Sequence, residues 1–224
     1  MASGAGEVTG RTAVADRLVG LVLTEGSVSH RYTRSVALLS GVAATRNLAD
    51  TVHHLCMLHG EYPGLVDIAA ARGGNEAVED WILHAVSAFA AERAYLARLA
   101  VAAGPIPSTP GQSESEAAIV GQRHAIEMLA ESDRSGCALG ASFGLAFDWG
   151  AIRPILDIAA DRFGIPIAPW ALPRDDETSR AATAAALAGM GIERAMWFGS
   201  QQLLVQHRGL WDLLEARAAA RVTH

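Results

Sequence analysis

Four ionisable side chains stand where the helical period of this chain calls for an apolar one. At about 100° per residue, His59 falls on the face made by Leu48, Val52, Leu55 and the following Tyr62. Glu92 lies near the centre of a face holding Trp81, Ala85, Ala88, Tyr95 and Leu99, and His207 interrupts the stripe Met196, Leu203, Leu210 and Leu214. Asp148 continues a ridge of Gly136, Gly140 and Gly144 in the apolar stretch Ser135 to Trp149, where a second helix can approach backbone to backbone. Two imidazoles and two carboxylates from four helices make a chemically competent set. His59, Glu92, Asp148 and His207 could hold iron or manganese with a position left open for substrate or oxygen. Without a metal, the same groups could act as general base and acid, their pKa values separated by burial. Tyr95, one turn beyond Glu92, is a polar accessory to either.

Each position also has a structural explanation, because buried polar groups find partners. A histidine can bond a backbone carbonyl, Glu92 can pair with Arg153 or Arg123, and Asp148 can cap a helix or pair with Arg153. The pairs Asp50/His54 and Asp80/His84 read as helix-surface pairs, as does His124 with Glu127. His54 sits at the edge of the apolar face and His53 points away from it. Trp81, Tyr95, Phe147 and Trp149 could grip an aromatic substrate.

The elements that must position these groups are helices. Apolar spacing predicts helices over Thr12–Leu23, Ser29–Leu39, Arg46–His59 with Thr45 as cap, and Leu65–Arg72. Asn75 is expected to cap a long helix to about Ala103, and Ser113 with Glu116 forms a capping-box signature for a helix to about Leu129. A helix follows from about Ser135, which Pro154 either kinks or restarts, and it closes at Phe163-Gly164. Asp176 starts another, broken at Gly189-Met190-Gly191, and the last runs from Ile192 to about Arg221. Strand signals are nearly absent. The expectation is therefore an all-α, single-domain bundle of eight or nine helices over residues 1–224, with residues 1–10 a flexible terminus.

Composition narrows the chemistry. All 18 cationic side chains are arginine, so Schiff-base chemistry, lysine-linked pyridoxal phosphate and a P-loop are excluded. No GxSxG elbow or dinucleotide-binding context occurs. A net charge of −6 without a basic cluster speaks against nucleic acid and anionic membranes as partners. The two cysteines, Cys56 and Cys137, lie in apolar helical patterns as reduced, buried thiols, and no signal core or membrane-length apolar run is present, which together imply a cytoplasmic protein.

Size and helix count resemble ferritin-like and haem-oxygenase-like bundles, whose inward carboxylates and histidines often bind iron or manganese. The Glu-x-x-His tetrapeptide of the ferritin-like di-iron proteins does not occur, and His124-x-x-Glu127 has the reverse order. Three functional readings follow: an iron- or manganese-dependent enzyme on a small apolar or aromatic substrate, a cofactor-independent lyase or isomerase, or a non-catalytic ligand-binding or oligomerising protein. The glycine ridge and the long last helix could support a homodimer.

Overall fold

The glycine ridge sets the architecture. In the computed structural model, which describes residues 4–73 and 76–222, it lies on helix α7 (Cys137–Phe163) and packs along helix α9 (Met190–Ala220). A Cβ at Gly140 would fall on the Met196 backbone, and one at Gly199 would fall on the Cys137 carbonyl. At Gly144 it would stand 3.1 Å from Ser200 Cα. Only residues without side chains permit this approach, and Ser200 uses it to donate a 2.5 Å hydrogen bond from Oγ to the Gly140 carbonyl. Contacts advance together from Gly136/Ile192 through Gly140/Met196 to Gly144/Ser200, so the two helices run parallel. One further turn of α7 and two of α9 bring Asp148 against His207.

The other helices surround this pair. They are α1 (Gly4–Glu25), α2 (Val36–Leu39), α3 (Ala44–His59), α4 (Leu65–Arg72), α5 (Glu79–Ala103), α6 (Gln112–Ala130) and α8 (Asp175–Ala186). Among the described residues there are nine α-helices and no strand, as the helical periodicity predicts. One apolar cluster runs through the molecule, with Trp149, Trp211, Tyr95 and Phe143 as its largest fully buried side chains. No helix is long and apolar enough to cross a membrane among the described residues.

Several local expectations change. Helix α1 begins at Gly4, inside the stretch expected to be flexible. The expected helix from Ser29 is instead two 3₁₀ turns, Ser27–Ser29 and Arg31–Arg34, followed by the short α2. Side chains break it: His30 Nδ1 accepts from the Tyr32 amide and Ser35 Oγ from the Leu38 amide, each offering the backbone an alternative to continuing. Helix α3 starts at Ala44 with Ala43 before it, so Thr45 is not a cap. Helix α6 leaves Gly111, in the left-handed region at φ 74°, which puts Ser113 inside the helix, where its hydroxyl bonds Glu114. Asn75 lies outside the described residues. Helix α7 passes unbroken through Pro154. The lost backbone bond and ring clash cost about 3 kcal/mol in a helix interior, and buried Trp149, Ile152, Ile155 and Leu156 on either side hold the helix together. Cys56 is half-buried; Cys137 is buried and both are free thiols.

Candidate functional site

Parallel packing of α7 and α9 puts Asp148 and His207, both fully buried, 2.5 Å apart between Oδ2 and Nδ1. The carboxylate accepts two more bonds from the first 3₁₀ turn: the Ser27 amide donates to Oδ1 at 2.7 Å and the Ser27 hydroxyl to Oδ2 at 2.5 Å. Trp211, one turn beyond His207, donates Nε1–H to Ser27 Oγ at 2.8 Å, which turns the hydroxyl proton toward Asp148. A Cβ at Gly26 would collide with Asp148 Oδ1, so glycine is required for this turn to reach the carboxylate. Every group that meets the carboxylate is a donor, and both its oxygens accept.

The end of α3 completes the chain. His59 Nε2 lies 2.9 Å from His207 Nε2, with the two rings edge to face. The proton positions follow in order. Asp148 accepts from His207 Nδ1–H, leaving Nε2 of a neutral His207 as an acceptor. His59 must then donate from Nε2, and its Nδ1 carries the free lone pair. Nδ1 has no hydrogen-bond partner among the described residues, and the His59 side chain is half-buried. Burial, and the positive charge of His207 whenever that ring is protonated, hold His59 well below the ordinary histidine pKa, which keeps it neutral. It lines a cleft of about 50 Å³ with apolar walls from Leu58, Leu65, Phe89, Ile126 and Leu145. Two arginines reach the same cleft, Arg93 paired with Asp67 at 2.8 Å and Arg123 with Glu61 and Glu127.

Glu92 and Tyr95 belong to an adjoining cluster. Glu92 accepts from Trp149 Nε1 at 2.9 Å and from Arg153 Nη1 at 2.5 Å, the ion pair with Arg153 that helical spacing allowed. Arg153 also donates from Nε to Asp157 at 2.8 Å and from Nη2 to the Ala168 carbonyl. Tyr95 donates to Asp157 at 3.0 Å, and burial together with that carboxylate pushes its pKa up to about 12. Burial raises the Glu92 pKa despite its two donors. The Trp149 ring joins the clusters, since its Nε1 bonds Glu92 while its ring meets His59 edge to face with centroids 5.6 Å apart.

The expected four-residue metal shell is therefore not assembled. His59, His207 and Asp148 stand in line, but both oxygens of Glu92 are occupied by Trp149 and Arg153, and Asp148 lies behind His207 rather than beside it. No group of three or more His, Cys, Asp or Glu is placed to hold a metal ion among the described residues. None of Trp81, Tyr95, Phe147 and Trp149 lines the His59 cleft. Trp81 packs on Phe143 and bonds Thr178, Tyr95 and Trp149 serve the Glu92 cluster, and Phe89 is the aromatic residue on the cleft wall.

Periodicity missed Ser27 and Trp211. Trp211 carried a signal, standing four residues after His207, whereas Ser27 reaches Asp148 only through the 3₁₀ turn. Asp50 and His54, read as a surface pair, are both fully buried because α3 packs on α5, α6, α7 and α9 at once. His84 bonds the Ala171 carbonyl rather than Asp80. His124 and Glu127 remain an exposed pair.

No curated protein and no solved structure matches the chain. The model of a family of unknown function (DUF6975) matches residues 22–222. That match spans nearly the whole chain, including Ser27, His59, Asp148 and His207, and the chain belongs to this family.

Proposed function

We propose that the His59 cleft is an acid–base site that moves a proton on a small, mostly apolar carbonyl compound, as a lyase or isomerase does. The observation that carries this reading is the line Asp148–His207–His59, ending on an imidazole nitrogen with a free lone pair at the cleft. His59 Nδ1 takes the proton of a C–H bond beside the carbonyl, and the bonding electron pair moves onto the carbonyl oxygen. The Nε2 proton of His59 passes to His207 Nε2, and the resulting imidazolium faces the Asp148 carboxylate. The relay keeps charge away from the half-buried His59 and places it beside an anion already fixed by Ser27. Arg93, held by Asp67, is the cation on the cleft wall available to a developing enolate. Return of the proton to carbon or to a leaving group resets the relay.

Two measurements test this. Peptide mapping after diethyl pyrocarbonate treatment of the folded protein should find His59 modified while buried His207 is protected. Incubation in D₂O with a panel of small ketones, 2-oxo acids and 1,3-dicarbonyls should show α-deuteration by the wild type that His59→Gln abolishes. An inert His59, a panel without exchange above the His59→Gln background, and a His207→Leu variant of undiminished stability would make the histidine pair a core hydrogen bond and sink the proposal.

A further inference from the structure

A second buried polar centre lies apart from the relay, where α3 meets the end of α9. Asp50, fully buried, receives Arg217 Nε and Nη2 at 2.8 to 3.1 Å and Arg221 Nη1 at 2.7 Å. Arg217 is only 2% exposed and the Arg221 side chain 5%. The loop between α5 and α6 roofs the cluster: Thr109 Oγ1 accepts from both guanidiniums, and the Pro107 carbonyl and Gln112 take further bonds from Arg217. Asn47 Oδ1 accepts from Arg221 Nη2.

Two features of this centre are out of balance. The first is charge. Two guanidiniums face one carboxylate, and the remaining partners, Asn47, Thr109 and Gln112, are neutral. Burial holds His54 neutral and keeps the Tyr32 phenol protonated. Glu215 acts on Tyr32 from the rim, but its carboxylate is engaged by the exposed Arg31 at 2.9 Å. The second is hydrogen bonding. Arg217 Nη1, Arg221 Nε and the Tyr32 hydroxyl, all donors, are buried without a partner among the described residues. These are three of the five such atoms in the described structure, and all belong to side chains gathered around Asp50. His54 Nε2 is a fourth, but its Nδ1–H donates to the Asp50 carbonyl at 2.7 Å, so Nε2 is an acceptor and plays no part in holding an anion.

We propose that Arg217, Arg221 and Tyr32 form a binding site for a small monovalent anion, a halide or a carboxylate group, beneath the 104–111 loop. Water would satisfy the unpartnered donors and leave the excess positive charge buried, whereas an anion answers both. Asp50 then acts as a positioning residue, turning the Nε/Nη2 edge of Arg217 toward itself and leaving Nη1 for the ligand.

The test uses the full chain. Its melting temperature is followed against chloride, bromide and acetate at constant ionic strength balanced with sulfate, in the wild type, Tyr32→Phe and Arg221→Gln. Crystals soaked in bromide provide a second readout. The expected result is a saturable rise for the wild type, a midpoint several-fold higher in Tyr32→Phe, no saturable rise in Arg221→Gln, and an anomalous bromide peak bounded by the three donors. A rise with acetate alone, without the bromide peak, assigns the site to a carboxylate. Should Arg221→Gln not fold, the Tyr32→Phe midpoint decides. Identical salt responses in wild type and Tyr32→Phe, or ordered waters at the donors with neither bromide nor acetate present, would overturn the proposal.

Discussion

Replacing Asp148 by asparagine strikes the relay at its anchor. The carboxylate accepts three hydrogen bonds, from the Ser27 amide, the Ser27 hydroxyl and His207 Nδ1. Bonds to an ion are stronger than neutral ones by about 1 kcal/mol each, so neutralisation alone removes roughly 3 kcal/mol. Asparagine also brings an NH₂ group where every neighbour donates. If the amide nitrogen faces Ser27, two N–H groups oppose each other there. If it faces His207, that ring is driven to the Nε2–H form, and His59 must give up its own Nε2 proton and take the Nδ1–H tautomer. A mismatched buried donor costs about 1–3 kcal/mol, bringing the total to about 4–6 kcal/mol, or a fall of at least roughly 10 °C in melting temperature for a chain of this size. Urea unfolding measures the loss, and long-range ¹H–¹⁵N spectra read the histidine tautomers. Wild-type His207 should be Nδ1–H and His59 Nε2–H. A loss below about 1 kcal/mol with unchanged tautomers would refute the assignment of Asp148 as the anchor.

Other consequences can be measured on the same protein. His59 and His54 both have folded pKa values below the ordinary histidine value, so between those values and about 6.5 the unfolded chain holds protons that the folded chain lacks. Their contribution is complete above pH 6.5 and is lost as the pH falls, by about 1.4 kcal/mol per pH unit for each proton; urea titrations between pH 5 and 7 should show a shallower slope in His59→Gln, and an unaltered slope contradicts the reading. Arg153→Met leaves Glu92 buried without its cation and should cost about 3–5 kcal/mol, while the Glu92→Gln/Arg153→Met pair should cost less than the sum of the single changes in a double-mutant cycle. Gly140→Ala pushes a methyl group into the Met196 backbone and should destabilise by at least about 1–3 kcal/mol. Gly121→Ala, on α6 with nothing within 4 Å, should instead stabilise by up to about 1 kcal/mol; the same thermal melts decide both, and equal signs would refute the ridge argument.

What the sequence determined by itself is the helical frame and one face of it. Period-3.6 apolar spacing, with glycines and prolines between the runs, places the long helices, and the Gly136/Gly140/Gly144 ridge identifies the side of α7 that a neighbour must touch. The same reasoning singled out His59, Asp148 and His207, because an ionisable group on an apolar stripe needs a partner and that need is visible one helix at a time. It could not say which need answers which. The parallel course of α7 and α9 pairs Asp148 with His207, and the position of α3 brings His59 to the other side of that ring. Glu92 has the same periodic signature as those three, yet Arg153 and Trp149 take both its oxygens. Asp50 and His54 looked solvated because a single wheel has one buried face, while α3 is enclosed by helices on several sides. Ser27 reached Asp148 through a 3₁₀ turn whose carbonyls accept from the Ser29 and Thr33 hydroxyls, and such local competition leaves no period to read. Helical periodicity records what one helix must bury; the packing of several helices decides which buried groups meet.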